Sequence, residues 1–288
     1  MSVVALDVGG TKTLAMIVSA EVEPSATLRL ATASGGAGAL IAFLVDAIDQ
    51  VSTAAQIDPG QISAVGVGMP GFIEPGSGVV RGAVNLGLGD DPVPVAMLLE
   101  RACSVPTTVV NDVDAAALGA AHLLGATDLA YINIGTGVAA GLVLDGRLRQ
   151  GRTGAAGEIG HWVVQEDGPI CSCGQHGCLE VLVARAARDR HRLDRDAREL
   201  RRVAHHLADA VLILALVVEP EVFVFGGGVV DGNPGLVEAV RDALSEREAS
   251  SAFVGHLGLI ERLRVLSGGE SVGAIGAGLV ALGAAGVQ

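Results

Sequence analysis

The sequence has few cysteines, a single lysine and no long apolar run, and each shortage narrows the kinds of protein it can be. Only four residues are cysteine, and three of them fall within eight positions, CSCGQHGC at 171–178. Lys12 is the single lysine, so arginine carries every other fixed positive charge. The longest apolar runs, 210–218 and 272–287, fall short of the ~20 strongly apolar residues of a membrane span, and no export signal opens the chain. We expect a soluble, cytoplasmic protein.

The charge balance argues against nucleic acid as a partner. The net charge is −13, whereas phosphate backbones are bound by basic surfaces. The arginine run at 185–202 is interleaved with acidic residues at helical spacings, which is typical of a solvated helix surface. Half of the 288 residues are apolar, enough for one large domain or two ordinary ones.

Apolar strand-like runs alternate with longer helical runs. We predict strands at 3–8, 14–18, 27–31, 62–67, 107–110, 222–225 and 263–266, and helices at 37–51, 93–103, 113–124, 179–190, 196–218, 234–245 and 272–285. The stretch ALDVGGTKTLAMIV (5–18) aligns with YINIGTGVAAGLVL (131–144), which places Asp7 on Asn133, Gly9 on Gly135 and Gly10 on Thr136. A chance match between two common glycine-turn hairpins is the alternative. The small, hydroxyl-bearing turn in both stretches favours duplication of one structural unit. The prediction is two related α/β domains with a cleft between them.

The turn DVGGTK at 7–12 has the composition of a phosphate site. Successive glycines leave backbone N–H groups free to face a phosphate, Thr11 adds a hydroxyl and Lys12 a mobile positive charge. Asp7, at the strand end, is suited to hold Mg²⁺ through water. The spacing is not that of a Walker P-loop, because a hairpin follows instead of a helix. A plain tight hairpin is the alternative; the Asp, Thr and Lys together favour nucleotide phosphate.

A second group of polar residues lies in VVNDVDAAALGAA at 109–121. Asn111 and Asp112 follow an apolar strand and begin a helix, where both types are ordinary N-caps. One of them caps and the other is left over. A carboxylate at the carboxyl end of a strand is well placed to take a proton from a substrate hydroxyl.

The clustered cysteines favour a metal. A disulfide is unexpected in the cytoplasm, and Cys171 and Cys173 are too close in sequence to pair easily. The pattern C-x-C-x₄-C supplies three of the four ligands of tetrahedral Zn²⁺, and both His161 and His176 are available as the fourth. Three free buried cysteines are the alternative, disfavoured by their Gly, Ser, Gln and His neighbours.

In order and spacing, the motifs DVGGTK, GVGMPG, VVNDVDAAALG, NIGTG, AGEIGH, CSCGQHGCLE, FGGG and SVGAIGAG resemble the ROK family (repressors, open reading frames, kinases). The resemblance implies two actin-like (hexokinase/RNase H-like) domains. The first covers 1–112 and is completed by the C-terminal helix 272–288, and the second covers 113–271 with the zinc loop. The resemblance also implies transfer of phosphate from ATP to a sugar hydroxyl. The chain departs from many family kinases at NLGLGDD (85–91), where they have NLPGW, which puts the identity of the sugar in doubt.

The resemblance implies roles for individual residues. Asp112 is the expected general base. The residues expected to hold the sugar are Asn111, Glu158, His161 and Glu180. The expected zinc ligands are His161, Cys171, Cys173 and Cys178. The residues expected to bind nucleotide are Asp7, Gly9, Gly10, Thr11, Lys12, Thr136, Gly137, Gly227 and Gly228.

We therefore predict an ATP-dependent sugar kinase with Mg²⁺ and a structural Zn²⁺, acting on a hexose, with the 6-hydroxyl of glucose the first choice. A kinase for an N-acyl amino sugar or a cyclitol is the alternative. A sugar-sensing regulator is the alternative of another class. Two features argue against a regulator: Asp112 is present, and there is no room for a DNA-binding domain before the first strand. A zinc-stabilised interaction module does not explain two phosphate turns. By analogy with the family, we expect a homodimer or homotetramer.

Overall fold

The structure, a computed structural model, describes residues 1–187, 196–266 and 271–286. The strands are β1 (Ser2–Val8), β2 (Lys12–Ser19), β3 (Pro24–Ala31), β4 (Ile62–Met69), β5 (Phe72–Glu74), β6 (Val79–Arg81), β7 (Val93–Pro94), β8 (Thr107–Asn111), β9 (Leu129–Ile134), β10 (Val138–Leu144), β11 (Arg147–Leu148), β12 (Val222–Gly226) and β13 (Leu263–Val265). The α-helices are α1 (Ala37–Ala54), α2 (Val95–Cys103), α3 (Asp112–Leu124), α4 (Leu179–Ala187), α5 (Ala197–Val217), α6 (Gly228–Gly232), α7 (Pro234–Ser250), α8 (Ala252–His256), α9 (Leu259–Arg262) and α10 (Val272–Ala284). The end of the predicted helix 179–190 and part of the arginine run lie outside the described residues.

The chain divides into two compact units. The first comprises the described residues within 1–123, 148–156 and 271–288, and the second those within 124–147 and 157–270. The first unit contains a five-stranded sheet in the order β3-β2-β1-β4-β8, with β1 antiparallel to β2 and parallel to β4, and β4 parallel to β8. Helices α1 and α2 pack in one core with this sheet, and α10 packs in another with β1, β2 and β4.

The second unit repeats the strand order of the first. Its sheet runs β11-β10-β9-β12-β13, with β9 antiparallel to β10 and parallel to β12. Asp7 of β1 pairs with Gly68 of β4, and Asn133 of β9 pairs with Gly226 of β12, so these positions are equivalent. The first hairpin turn is longer by one residue: Val8 pairs with Thr13, whereas Ile134 pairs with Val138. The predicted alignment of strands therefore agrees with the topology, with a one-residue shift inside the turn.

Close backbone contacts hold α10 against the first unit. A Cβ at Gly66 would overlap the carbonyl oxygen of Ala277, and a Cβ at Gly276 would overlap that of Ala115 on α3. A side chain at Gly119 would overlap the carbonyl of Val272 in the same way. These glycines let α3 and α10 approach at backbone distance, which explains why α3 belongs to the first unit. The predicted boundary after residue 112 differs, because it assigned this helix to the second domain.

Helix α1 is, among the described residues, the one helix long and apolar enough to span a membrane by length and composition. Its buried apolar residues recur on one face of the helix and pack in the core of the first unit. They are Leu40, Leu44, Ala47, Ile48 and Val51. This packing is that of an amphipathic core helix.

Candidate functional site

The first glycine turn closes the hairpin β1–β2. Its Gly9 N–H donates to the carbonyl oxygen of Lys12 at 2.9 Å, and both Thr11 and Lys12 are exposed. A Cβ at Gly10 would lie 3.0 Å from Cβ of Asn85, so Asn85 packs against this turn. The turn therefore presents one hydroxyl and one ammonium to solvent, and its glycines keep the backbone accessible.

Asp7 occupies a tightly packed position at the carboxyl end of β1. Burial, and to a lesser extent the charge of Asp112, raises the pKa of Asp7 from 3.8 to about 6. A Cβ at Gly273 would lie 2.6 Å from Oδ2 of Asp7, so the carboxylate lies against the first turn of α10. A largely buried carboxylate next to a second carboxylate favours a cation between or beside them.

Asp112 begins α3, directly after β8. Its Oδ1 accepts the N–H of Val113 at 3.0 Å, and Oδ1 of Asn111 accepts the same N–H at 2.8 Å. Burial raises the pKa of Asp112, while the backbone hydrogen bonds partly oppose that rise. The Nδ2 group of Asn111 donates to the carbonyl of Gly71 at 3.1 Å. Asn111 therefore caps the helix and ties down the turn after β4, and Asp112 is the carboxylate next to this cap.

The second glycine turn closes the hairpin β9–β10 in the second unit. Gly135 N–H donates to the carbonyl of Gly137 at 2.9 Å, and Thr136 is exposed at the tip. Beneath it, Asn133 lies at the equivalent of Asp7. A Cβ at Gly227 would lie 2.6 Å from Oδ1 of Asn133, and Gly227 has φ +97°, where side chains are disfavoured. The two glycine turns of this unit therefore meet at the carboxyl ends of β9 and β12.

A cavity of about 490 Å³ lies beside α6, the short helix that follows Gly227. Its walls come from α6, α7 and the residues at the end of β13. The lining residues are Val230, Asp231, Pro234, Val237, Glu238, Val265 and Leu266. Apolar walls with two carboxylates suit a flat heterocycle that carries hydrogen-bond donors.

Four side chains of the second unit form a compact group with metal-binding chemistry. The ligand atoms of His161, Cys171, Cys173 and Cys178 lie within 4.8 Å of one another. The distance is 3.7 Å between Sγ of Cys173 and Sγ of Cys178, and 3.7 Å between Sγ of Cys171 and Nδ1 of His161. Zinc bonds of ~2.3 Å to sulfur and ~2.0 Å to nitrogen at tetrahedral angles give ligand separations of ~3.5–3.8 Å, so the group fits Zn²⁺. His176 instead has Nδ1 3.2 Å from the carbonyl oxygen of Gly168.

Gln175 places its amide nitrogen beside the sulfur atoms of Cys173 and Cys178. The backbone and side chain of Gln175 donate toward Cys173 and lower the pKa of this exposed thiol from 9.0 to about 6. The side-chain amide of Gln175 also donates to the carbonyl of His161 at 3.2 Å. Hydrogen bonds of this kind favour the thiolate, which is the form that binds metals.

His161 has two chemically distinct sides. Nδ1 faces the sulfur atoms, while Nε2 lies 3.9 Å from Oε2 of Glu158 on the other side of the ring. One imidazole can therefore bind a metal through Nδ1 and keep Nε2 for a hydroxyl or for Glu158.

Comparison with known proteins assigns the chain to a protein family. The family model described as ROK family matches residues 3–284. The chain belongs to the ROK family. Of its relatives, the glucokinase of Halalkalibacterium halodurans is 30% identical over 96% of this chain and 93% of its own length. The N-acetylmannosamine kinase of Salmonella arizonae is 34% identical over 66% of this chain and 65% of its own length.

A solved ROK structure has the same fold. The ROK family glucokinase from Streptomyces griseus, in complex with glucose and AMPPNP, superposes with a TM-score of 0.76 at 25% identity, covering 98% of this chain and 99% of that one. The predicted fold class, α/β with two actin-like domains, is confirmed.

Two residues that contact the glycine turns have no role predicted from the sequence. Asn133 was aligned with Asp7, yet it had no predicted role; the signal was the alignment itself, and the structure places its amide against both turns of the second unit. Asn85 gave no signal beyond its place in NLGLGDD. The structure brings together Asp7 with Asp112, Gly137 with Glu180, and the four predicted zinc ligands.

Proposed function

We propose that the protein transfers the terminal phosphate of ATP to a hydroxyl of a hexose, with glucose the first substrate to test. The observation that carries the proposal is Asp112, a carboxylate of raised pKa placed at the end of β8 in a chain of the ROK family. A relative named glucokinase, matched over nearly the whole chain, supports glucose, and a related structure with bound AMPPNP supports ATP.

In this proposal Asp112 is the general base. A carboxylate whose pKa is raised toward neutrality accepts the hydroxyl proton more readily as the oxygen attacks phosphorus, and general-base help contributes ~10²–10⁴-fold. Since the backbone N–H of Val113 holds Oδ1, the carboxylate is oriented before substrate arrives. Asn111, which anchors this corner, keeps acceptor capacity on Oδ1 for a sugar hydroxyl.

The phosphoryl donor, ATP, is assigned to the glycine turns. Thr11 and Lys12 on the first turn and Thr136 on the second supply a hydroxyl, a charge and a second hydroxyl for phosphate oxygens. Gly227 and Gly228 begin α6, which lines the cavity assigned to the adenosine end. Mg²⁺ supplies charge neutralisation of the transferred phosphoryl group. Asp7 would hold it through water.

The sugar is assigned to the residues next to the Cys/His group. Glu158, His161 and Glu180 carry the polar atoms proposed to bind its hydroxyls. A zinc ion with four protein ligands has no open position, so its contribution is a crosslink of the loop and not Lewis-acid chemistry. The ordered loop then aims these side chains.

A coupled ATP-consumption assay against a panel of hexoses, N-acylated hexosamines and cyclitols tests the proposal. Asp112→Asn should reduce kcat ~10²–10⁴-fold and leave the Kd for the sugar within about threefold, because only the proton acceptor is lost. Asp49→Asn, which removes an exposed carboxylate on α1, is the matched control and should leave kcat unchanged. Near-normal turnover by Asp112→Asn would contradict the mechanism.

A second candidate is a kinase for an N-acyl amino sugar. Its support is the relative named N-acetylmannosamine kinase, together with the unusual segment NLGLGDD at 85–91. A kcat/KM for N-acetylmannosamine above that for glucose would decide for it. Sugar binding without turnover would decide for a sugar-sensing regulator. The dimeric or tetrameric state stays a prediction from the resemblance, and the cytoplasmic location stays a prediction from the sequence.

A further inference from the structure

We infer that Glu180 is a positioning residue for the phosphoryl donor: its carboxylate holds the second glycine turn, at 135–137, in place. The inference rests on the proposed function, which assigns this turn to phosphate, and it goes beyond the sugar-holding role that Glu180 has there. A single side chain would then connect the Cys/His loop to the donor turn.

The contact is specific. The N–H of Val138, the first residue of β10, donates to Oε2 of Glu180 at 3.2 Å. A Cβ at Gly137 would lie 2.6 Å from the same oxygen, so a side chain at 137 would displace the carboxylate from this position. From the other side, a Cβ at Gly160 would come within 3.3 Å of Cβ of Glu180 and would overlap the carbonyl of Val138. Glu180 is therefore packed between the turn and the segment that leads to His161.

The backbone that carries Glu180 is fixed as well. Glu180 lies in the first turn of α4, two residues after Cys178, and the N–H of Leu179 donates to the carbonyl of Trp162 at 2.9 Å. Val138 is buried, so an unpaired N–H there would be unfavourable. The carboxylate thus satisfies the backbone where β10 begins and limits the conformations of Thr136 at the tip of the turn.

Two substitutions at Glu180 separate this role from sugar binding. Glu180→Gln keeps an oxygen that can accept the N–H of Val138, whereas Glu180→Ala removes the acceptor. Titration calorimetry with AMPPNP should give a Kd about tenfold weaker for Glu180→Ala and within about twofold of wild type for Glu180→Gln. Glu166→Ala and Glu166→Gln, at an exposed position of the same loop, are the matched controls and should leave the Kd unchanged. If both Glu180 variants raise the KM for sugar while neither changes the Kd for AMPPNP, the inference is wrong.

The close approach of Gly137 and Glu180 allows a double-mutant test. Gly137→Ala should weaken AMPPNP binding, because the added methyl displaces the carboxylate. In the Glu180→Ala background the methyl has space, so the same change should have a smaller effect. Effects that multiply independently would overturn the inference, since independent residues show additive free energies.

Hydrogen exchange gives a readout that does not depend on activity. The amide of Val138 should exchange slowly in wild type and in Glu180→Gln and at least tenfold faster in Glu180→Ala, without a change in exchange of the β1–β2 hairpin of the first unit. If wild type binds no AMPPNP, the proposed function fails, and the exchange result still decides whether Glu180 holds the turn. Equal exchange in all three proteins would refute the inference.

Discussion

Replacing Asp7 by asparagine should stabilise the protein at neutral pH while reducing its kinase activity. Burial, with a contribution from Asp112, raises the pKa of Asp7 from 3.8 to about 6, which means that the folded state disfavours the ionised form. A pKa shift of this size corresponds to a loss of ~3 kcal/mol in the free energy of unfolding above pH 6. Because the side chain keeps partial access to solvent, we expect ~1–2 kcal/mol in practice.

The pH dependence has a definite sign. A carboxyl group with a raised pKa binds more protons in the folded than in the unfolded protein, so its contribution to stability falls as the pH rises from about 4 to about 6. Asparagine cannot ionise. The difference in unfolding free energy between Asp7→Asn and wild type should therefore be near zero at pH 4 and reach its full value above pH 7.

Urea unfolding at a series of pH values, without Mg²⁺ or nucleotide, measures this difference. Asp49→Asn, on the exposed face of α1, removes the same charge without the burial and should follow wild type at every pH. A variant Asp7→Asn that is less stable than wild type at pH 8, or a difference that does not change with pH, would refute the reasoning. Lower kcat in the stabilised variant would then show that Asp7 is retained for function at the expense of stability.

Strands and turns with strong local patterns could be predicted from the sequence. The hairpins β1–β2 and β9–β10 combine apolar runs with glycine turns, and their predicted positions overlap the observed ones. The three-stranded sheet β5-β6-β7 was not predicted, because strands of two or three residues are too short to show a period. For the same reason the helix predicted from residue 93 begins at Val95, after the short strand that ends at Pro94.

The members of the Cys/His group could be predicted from the sequence, but the contacts around the group could not. The cysteine spacing and the family resemblance name the four residues of the Cys/His group, whereas the hydrogen bond from Val138 to Glu180 joins residues 42 positions apart and has no sequence pattern. Asn111 illustrates the same limit. The family resemblance implies a role at the substrate, and the sequence leaves open whether Asn111 or Asp112 caps α3. The fold shows that the side-chain oxygen of Asn111 accepts the N–H of Val113 and that its Nδ2 group donates to the carbonyl of Gly71.

Three further changes have outcomes that the contacts specify. Gly276→Ala should lower the free energy of unfolding by ~2 kcal/mol or more in a denaturant titration, because the methyl overlaps the carbonyl of Ala115; Gly283→Ala, which has open space in the same helix, should not be destabilised. In the wild-type enzyme, kcat should fall on the acid side with an apparent pKa above 3.8, since burial raises the pKa of Asp112, and a profile flat down to pH 4 would contradict this. Cys171→Ser should lower the zinc content from about one per chain to near zero by elemental analysis, because three ligands bind zinc far more weakly than four. Ser172→Ala, whose hydroxyl lies 3.9 Å from the Cys171 sulfur and completes no ligand set, should keep its zinc, and equal zinc in both variants would show that Cys171 is not a ligand.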